Sequence, residues 1–195
     1  MATSAGIAAV AKSIERLLAW RFQQDEPTTT GTTLVQLVTT QMLEEGIGTP
    51  SLTIFLYRVE VNRVMRPAWA EVAHYDGRGH LPLDLHFFIT PWATDAEDEY
   101  RILGRAMECL EATPILSGPM LDSLNAGVWG PGESIQLLLD EASPDTVLRL
   151  FDLLPPKYRL SVPYLARVMR LDTQPVVPDL PVTTIEVGAK PSVRP

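Results

Sequence analysis

The sequence predicts an α+β fold, a mostly antiparallel or mixed sheet of about four strands with helices packed on it. Three observations carry this expectation. Residues 51–62, 83–90 and 157–172 alternate apolar and polar side chains or are rich in β-branched and aromatic residues, as strands are. Residues 4–22 and the stretch after Thr94 instead repeat apolar residues every three or four positions, as helices do. The order of these runs is not the strict strand–helix alternation of a doubly wound parallel sheet. A chain of 195 residues, 46% apolar, suffices for one core over residues 1–172, followed by an extended Pro-rich arm over 173–195.

The elements follow in order. Ile7, Val10, Ala11, Ile14, Leu17 and Leu18 form the apolar stripe of the first helix, with Thr3 or Ser4 as its cap. Residues 23–33 are polar and turn-forming, hence a loop. Residues 34–45 fit either a strand or a short helix. Residues 51–62 form a strand bounded by Gly48-Thr49-Pro50. Residues 66–82 read as a loop with a turn at Asp76-Gly77. In the next strand Leu83, Leu85, Phe87 and Ile89 share one face, and Asp84, His86, Phe88 and Thr90 the other. Thr94 and Glu97 form a capping box for a helix with the stripe Tyr100, Leu103, Ala106, Met107 and Leu110, ended by Thr113-Pro114. Residues 134–142 form a short strand. Ser143-Pro144-Asp145 opens a helix through Leu154, and Pro155-Pro156 stops it. Residues 157–172 form the longest strand, with Pro163 marking an edge or a bulge.

Composition excludes several classes of function. The net charge is −8 with no cluster of lysine or arginine, which argues against nucleic acid as a partner. No apolar run is long enough to span a membrane, and the N-terminus lacks the basic start and apolar block of a signal peptide. A single cysteine, Cys109, excludes an internal disulfide and fits folding in a reducing cytoplasm.

The chemistry-bearing residues do not assemble into an active site. Asp84 and His86 share a strand face, but no nucleophile motif accompanies them, and Cys109 falls inside a helix. His74 and Asp76 have the spacing that opens a two-histidine, one-carboxylate metal site, with His80 or His86 as the third ligand; a small metal-dependent oxygenase or hydrolase is the enzymatic alternative. Phosphate-binding glycine motifs are absent, and no cofactor is expected. Contact surface is better represented. Trp69, Trp92 and Trp129 stand in or beside expected loops, and aromatic and arginine side chains anchor interfaces. Arg66, Trp69, Trp92, Tyr158 and Arg159, with Asp84 and His86, are the candidate interface residues.

Residues 81–116, "LPLDLHFFITPWATDAEDEYRILGRAMECLEATPIL", resemble the signature of the cap, or tail-terminator, proteins of phage-tail-like contractile injection systems. Pro82, Leu83, Leu85, His86, Thr90 and the run Leu103-Gly104-Arg105-Ala106-Met107 carry the match, with Pro114. "VNRVMRP" at 61–67 resembles an upstream N-x-x-x-R element, and residues 158–172 resemble the closing strand, with Tyr158, Arg159, Ser161 and Tyr164 in place. The resemblance implies a structural, non-catalytic protein. It would form a six-fold ring at the baseplate-distal end of the particle and end growth of the inner tube and outer sheath; the alternative within the same class is an adaptor or completion ring of another phage-like tail. Its partners would be itself, the tube protein and the sheath protein, assembled in the cytoplasm. Asp84 and His86 would then face a docked element or subunit.

Overall fold

A run of alternating residues lies at the centre of the molecule. The strand expected at 83–90 extends over His80–Trp92, thirteen residues, and pairs along its length with strands on both sides. In the computed structural model, which describes residues 2–29, 31–122, 127–130, 132–153 and 158–173, the chain order is α1 (Gly6–Gln24), β1 (Leu34–Leu37), α2 (Thr40–Glu45), β2 (Ser51–Val61), α3 (Arg66–Asp76) and β3 (His80–Trp92). It continues through α4 (Ala96–Glu111), β4 (Ile115–Ser117), α5 (Pro119–Asp122), β5 (Ser134–Leu139), α6 (Pro144–Leu153) and β6 (Val162–Asp172).

The class is α+β, but the described sheet has six strands, not about four, in the order β1-β2-β3-β6-β5-β4. Only β1 and β2 pair in parallel; every other pair is antiparallel. β4, which was not expected, has three residues, and β1, which the sequence left open between strand and helix, has four, too few for an alternating pattern to show. The ambiguous residues 34–45 divide between β1 and α2, whose N-cap Thr39 accepts the Met42 N–H.

Leu83, Leu85, Phe87 and Ile89 of β3 lie in the main core, under α1 and α4. Val10, Ile14 and Leu18 of α1 and Ile102, Leu103, Ala106 and Leu110 of α4 meet them there. The expected stripe of α4 is rotated in one place: Tyr100 is 62% exposed, while Ile102 and Cys109 are buried. Its N-cap is Asp95, which accepts the Asp98 N–H at 2.9 Å, one residue later than the expected Thr94 box. Neither Thr3 nor Ser4 is the N-cap of α1; Ala5 holds that position, and Thr3 instead accepts the Gly6 N–H through its carbonyl.

Three further expectations need correction. Residues 66–76 are helix α3, not loop. Pro67 sits in the first turn, where its missing N–H costs nothing, and the turn signal Asp76-Gly77 is the helix end, with Gly77 left-handed at φ 69°. Pro163 is not on an edge strand. It lies at the start of the interior strand β6, and its carbonyl accepts the Asp140 N–H, so its imide nitrogen faces the margin where β5 has just ended. The closing strand begins at Val162, so with eleven residues it is shorter than β3. The stop at Pro155-Pro156 and the arm beyond Thr173 lie outside the described residues.

Two glycines make opposite predictions. A Cβ on Gly6 would meet the Ala2 side chain at 2.8 Å and the Met169 sulfur at 3.1 Å, whereas one on Gly104, mid-α4, meets nothing within 4 Å. Gly104→Ala should therefore raise stability by about 0.5–1 kcal/mol through its backbone alone, and Gly6→Ala should lower it. Urea denaturation of the two variants checks both signs.

Candidate interaction face

The second face of the sheet carries all seven candidate interface residues or the elements that hold them. α3 covers one end of it and α6 the other. Phe88 of β3 stacks on Tyr57 of β2 at 4.3 Å between ring centroids and on Phe151 of α6 at 5.6 Å. Both faces of β3 are thus buried at its middle, and the polar residues there need partners.

His86, 4% exposed, finds one. Its Nδ1 lies 2.6 Å from Oδ2 of Asp140, just past β5, and the Tyr57 hydroxyl donates to the same oxygen at 2.8 Å. The other ring nitrogen lies 3.4 Å from Arg58 Nη2 and 3.9 Å from Glu60 Oε2. Tyr57 reaches this point because it is the extra residue where the β2–β3 register shifts between Leu56 and Arg58. Burial first, and then the Asp140 contact, push its hydroxyl well above the ordinary value, so it is a neutral donor. The arrangement has the look of a relay but no nucleophile. It joins β2, β3 and the end of β5. Cys109 lies on the opposite face of the sheet, in the core, where burial pushes its thiol up and away from reactivity. Asp84 does not join His86; both its oxygens accept from Asn62 Nδ2, at 3.1 and 2.9 Å.

Asn62 also accepts the Met65 N–H at 2.9 Å, and Arg66 Nη1 donates to the His80 carbonyl at 2.8 Å. The N-x-x-x-R element therefore ties the start of α3 to β3. Trp69 is on α3, with its ring 5.5 Å from that of His80 and the Arg170 guanidinium 4.4 Å from its centroid. His80 is buried between Asp172 at 2.6 Å and Asp76 at 2.8 Å, and Arg170 bridges Asp172 and Glu133. This cluster is missed by sequence reasoning, since its members come from α3, β3, β5's approach and β6. The Asp76 carboxyl is held below its ordinary value, chiefly by the Arg78 N–H, with His80 adding to it.

At the far end Trp92 is the last residue of β3, beside the turn that leads into α4. It is 6% exposed, and its indole N–H donates to Thr53 Oγ1 at 2.8 Å. Arg159 lies over it at 4.6 Å and pairs with Glu99 at 2.9 Å. Tyr158 is exposed but packs edge-on against Phe151 at 5.4 Å. The candidates thus form two groups, Arg66, Trp69 and Asp84 by α3, and Trp92, Tyr158 and Arg159 by α6, with His86 between them. The face is open beside the start of α3: grooves of about 590 Å³ and about 650 Å³ meet at Arg167 of β6. The supposed ligands His74, Asp76 and His86 do not converge, because Asp76 engages His80 and His86 engages Asp140; among the described residues no three such side chains are grouped to hold a metal.

Removing the shared acceptor should be costly, because it leaves the His86 N–H and the Tyr57 O–H without a partner. Asp140→Ala is expected to lose about 2–4 kcal/mol, and Tyr57→Phe only about 1 kcal/mol, in urea or thermal denaturation.

No curated protein sequence matches the chain. Among solved structures it resembles the sheath/tube terminator of an extracellular contractile injection system, PVC, in its extended state, with TM-score 0.57 and 17% identity over 99% of this chain and 66% of that one. It also resembles the tube-terminating cap of the anti-feeding prophage, with TM-score 0.56 and 11% identity over 92% of this chain and 60% of that one. At these identities the likeness is one of fold. The family model described as the Pvc16 N-terminal domain matches residues 9–184, and the chain belongs to that family.

Proposed function

We propose that this protein is a structural terminator of a contractile injection particle: it caps the tube and sheath at one end as a ring of six copies and catalyses nothing. The observation that carries this reading is the family match over residues 9–184, joined to a fold shared along nearly the whole chain with two proteins that terminate tubes. The site geometry supports it. The histidine–carboxylate contacts are packed junctions between strands, and the open part of the face is broad, with both polar and apolar lining, rather than a closed pocket. None of the described helices is long and apolar enough to cross a membrane. Asp84, Arg66 and Trp69 hold α3 in place, so their part in an interface is to present that helix. Tyr158 and Arg159 are available for direct contact with tube or sheath.

Sheathed rods sedimented from the native host and labelled with gold-conjugated antibody should carry label at one end only. A strain lacking the protein should make tubes of uncontrolled length. Rods of normal length in that strain would overturn the reading. Deleting residues 173–195 should leave a folded domain that enters particles poorly; normal incorporation of the truncated chain would refute a role for the arm.

A further inference from the structure

The outward side of α1 carries an apolar groove of about 460 Å³. Leu17 and Trp20 of α1 and Met120 of α5 line it, with Arg16 and Arg21 at its rim. Trp20 is 52% exposed and Met120 43%, and of the four tryptophans Trp20 alone is exposed. Arg21 lies 5.0 Å from the centroid of the Trp20 ring, and its Nε is buried without a hydrogen-bond partner among the described residues. Arg16 donates to the Met120 carbonyl. Other cations nearby are neutralised within the chain: Lys12 pairs with Glu15, and Arg105 with Asp25 and Glu108. Among the described residues no carboxylate pairs with Arg16 or Arg21, and none lines the groove. An exposed tryptophan beside two uncompensated guanidinium groups suits an apolar side chain flanked by carboxylates.

Helix α6 offers that chemistry on the other face of the sheet. Phe151 holds it to β3 by stacking on Phe88. Leu148, 52% exposed, stands between Asp145 and Asp152, both exposed, at the i, i+3, i+7 spacing that places three side chains on one side of a helix. Asp145 has only a surface pair with Arg149, at 2.9 Å, and Asp152 pairs with no described residue. We infer that α6 of one copy docks in the α1–α5 groove of the next, with Leu148 between Trp20 and Met120 and the two aspartates at Arg16 and Arg21. Asp145 and Asp152 are seven residues apart, about 10 Å of helix, and Arg16 and Arg21 five residues, about 7.5 Å; an arginine side chain spans the difference. The occupant is a second copy for a reason of place. α1 packs on the core face of the sheet and α6 on the opposite face, so a chain cannot seat α6 in its own groove. Two unlike surfaces on opposite sides of one chain make a heterologous contact, the kind that generates a ring when its rotation closes. The inference deepens the ring reading and rests on it only for that closure.

The test uses the full chain. Met120→Cys and Leu148→Cys, both at exposed positions, are purified as separate variants, mixed and treated with a short bis-maleimide; native Cys109 is buried in the core and serves as background. The mixture should give a covalent dimer that neither variant gives alone. A chain carrying both cysteines should give a ladder of covalent oligomers. Asp152→Lys, in the last turn of α6 where a cation suits the helix dipole, should leave the melting temperature unchanged. Added to the Leu148→Cys chain it turns an attraction into a repulsion and should cut the dimer yield roughly ten-fold. Added to the Met120→Cys chain, whose α6 lies outside the cross-linked contact, it should leave the yield as it was. No dimer in the mixture, in solution or in sedimented rods, overturns the inference. So does a dimer given equally by one variant alone, a cross-link confined within the doubly substituted chain, or a rod cross-link from Met120→Cys that mass spectrometry assigns to the tube or sheath protein. A yield insensitive to Asp152→Lys, or equally sensitive in either chain, overturns it too. Rods labelled at one end without the cross-link would keep the terminator reading and remove this contact; the cross-link in solution with unlabelled rods would do the reverse.

Discussion

The burial of β3 on both faces is the constraint on which the rest depends. One face carries Leu83, Leu85, Phe87 and Ile89 into the core, and the other carries His86, Phe88 and Thr90 beneath α6 and its neighbours. A strand covered on one side can leave its polar residues to water; a strand covered on both cannot. Thr90 is met by Ser161 at 2.6 Å, and His86 by Asp140. Asp140 belongs to the segment just after β5, so the demand of one buried imidazole fixes where a distant strand must end. Tyr57 shares that carboxylate, which places β2 in the same junction.

Two register shifts flank this strand, and each has a consequence. On the β6 side, Leu83 pairs with Met169 but Leu85 with Ala166, so β6 holds the extra residue near Arg167 and Val168. On the β2 side the extra residue is Tyr57. An extra residue exchanges which positions face inward and which face the neighbouring strand. On β6 it allows both Arg167 and Arg170 to stand on the second face while Met169 stays in the core. On β2 it turns the backbone of Val59 and Val61, rather than that of Arg58 and Glu60, toward the open edge.

Much of this was legible from the sequence. The periodicity of α1 and α4 and the alternation of β3 located the core, because both depend on local spacing. Helix α3 was not legible, because none of its residues is fully buried and so it has no apolar stripe to announce it. It is held instead by Asn62 and Arg66 contacts to β3, which are set by the fold. The candidate face was legible as a set of residue types. Its organisation was not: Trp69 and Trp92 look like loop anchors in sequence, yet both are packed against arginines of β6 or its approach. Asp172, one of the two partners of His80, and Asp140, the partner of His86, lie 92 and 54 positions away in the chain, beyond any spacing rule.

A ring of identical copies requires two unlike surfaces on each chain, related by a fixed rotation; if the rotation is loose, the contact yields open filaments. In the described sheet β1 pairs with β2 only over Ser51–Ile54, so Val59 and Val61, each 43% exposed, have no described strand beside them on that side. The extra residue Tyr57 is what turns their backbone groups outward, and along such an edge register is quantised: a slip of one residue exchanges the two faces of whatever strand is added.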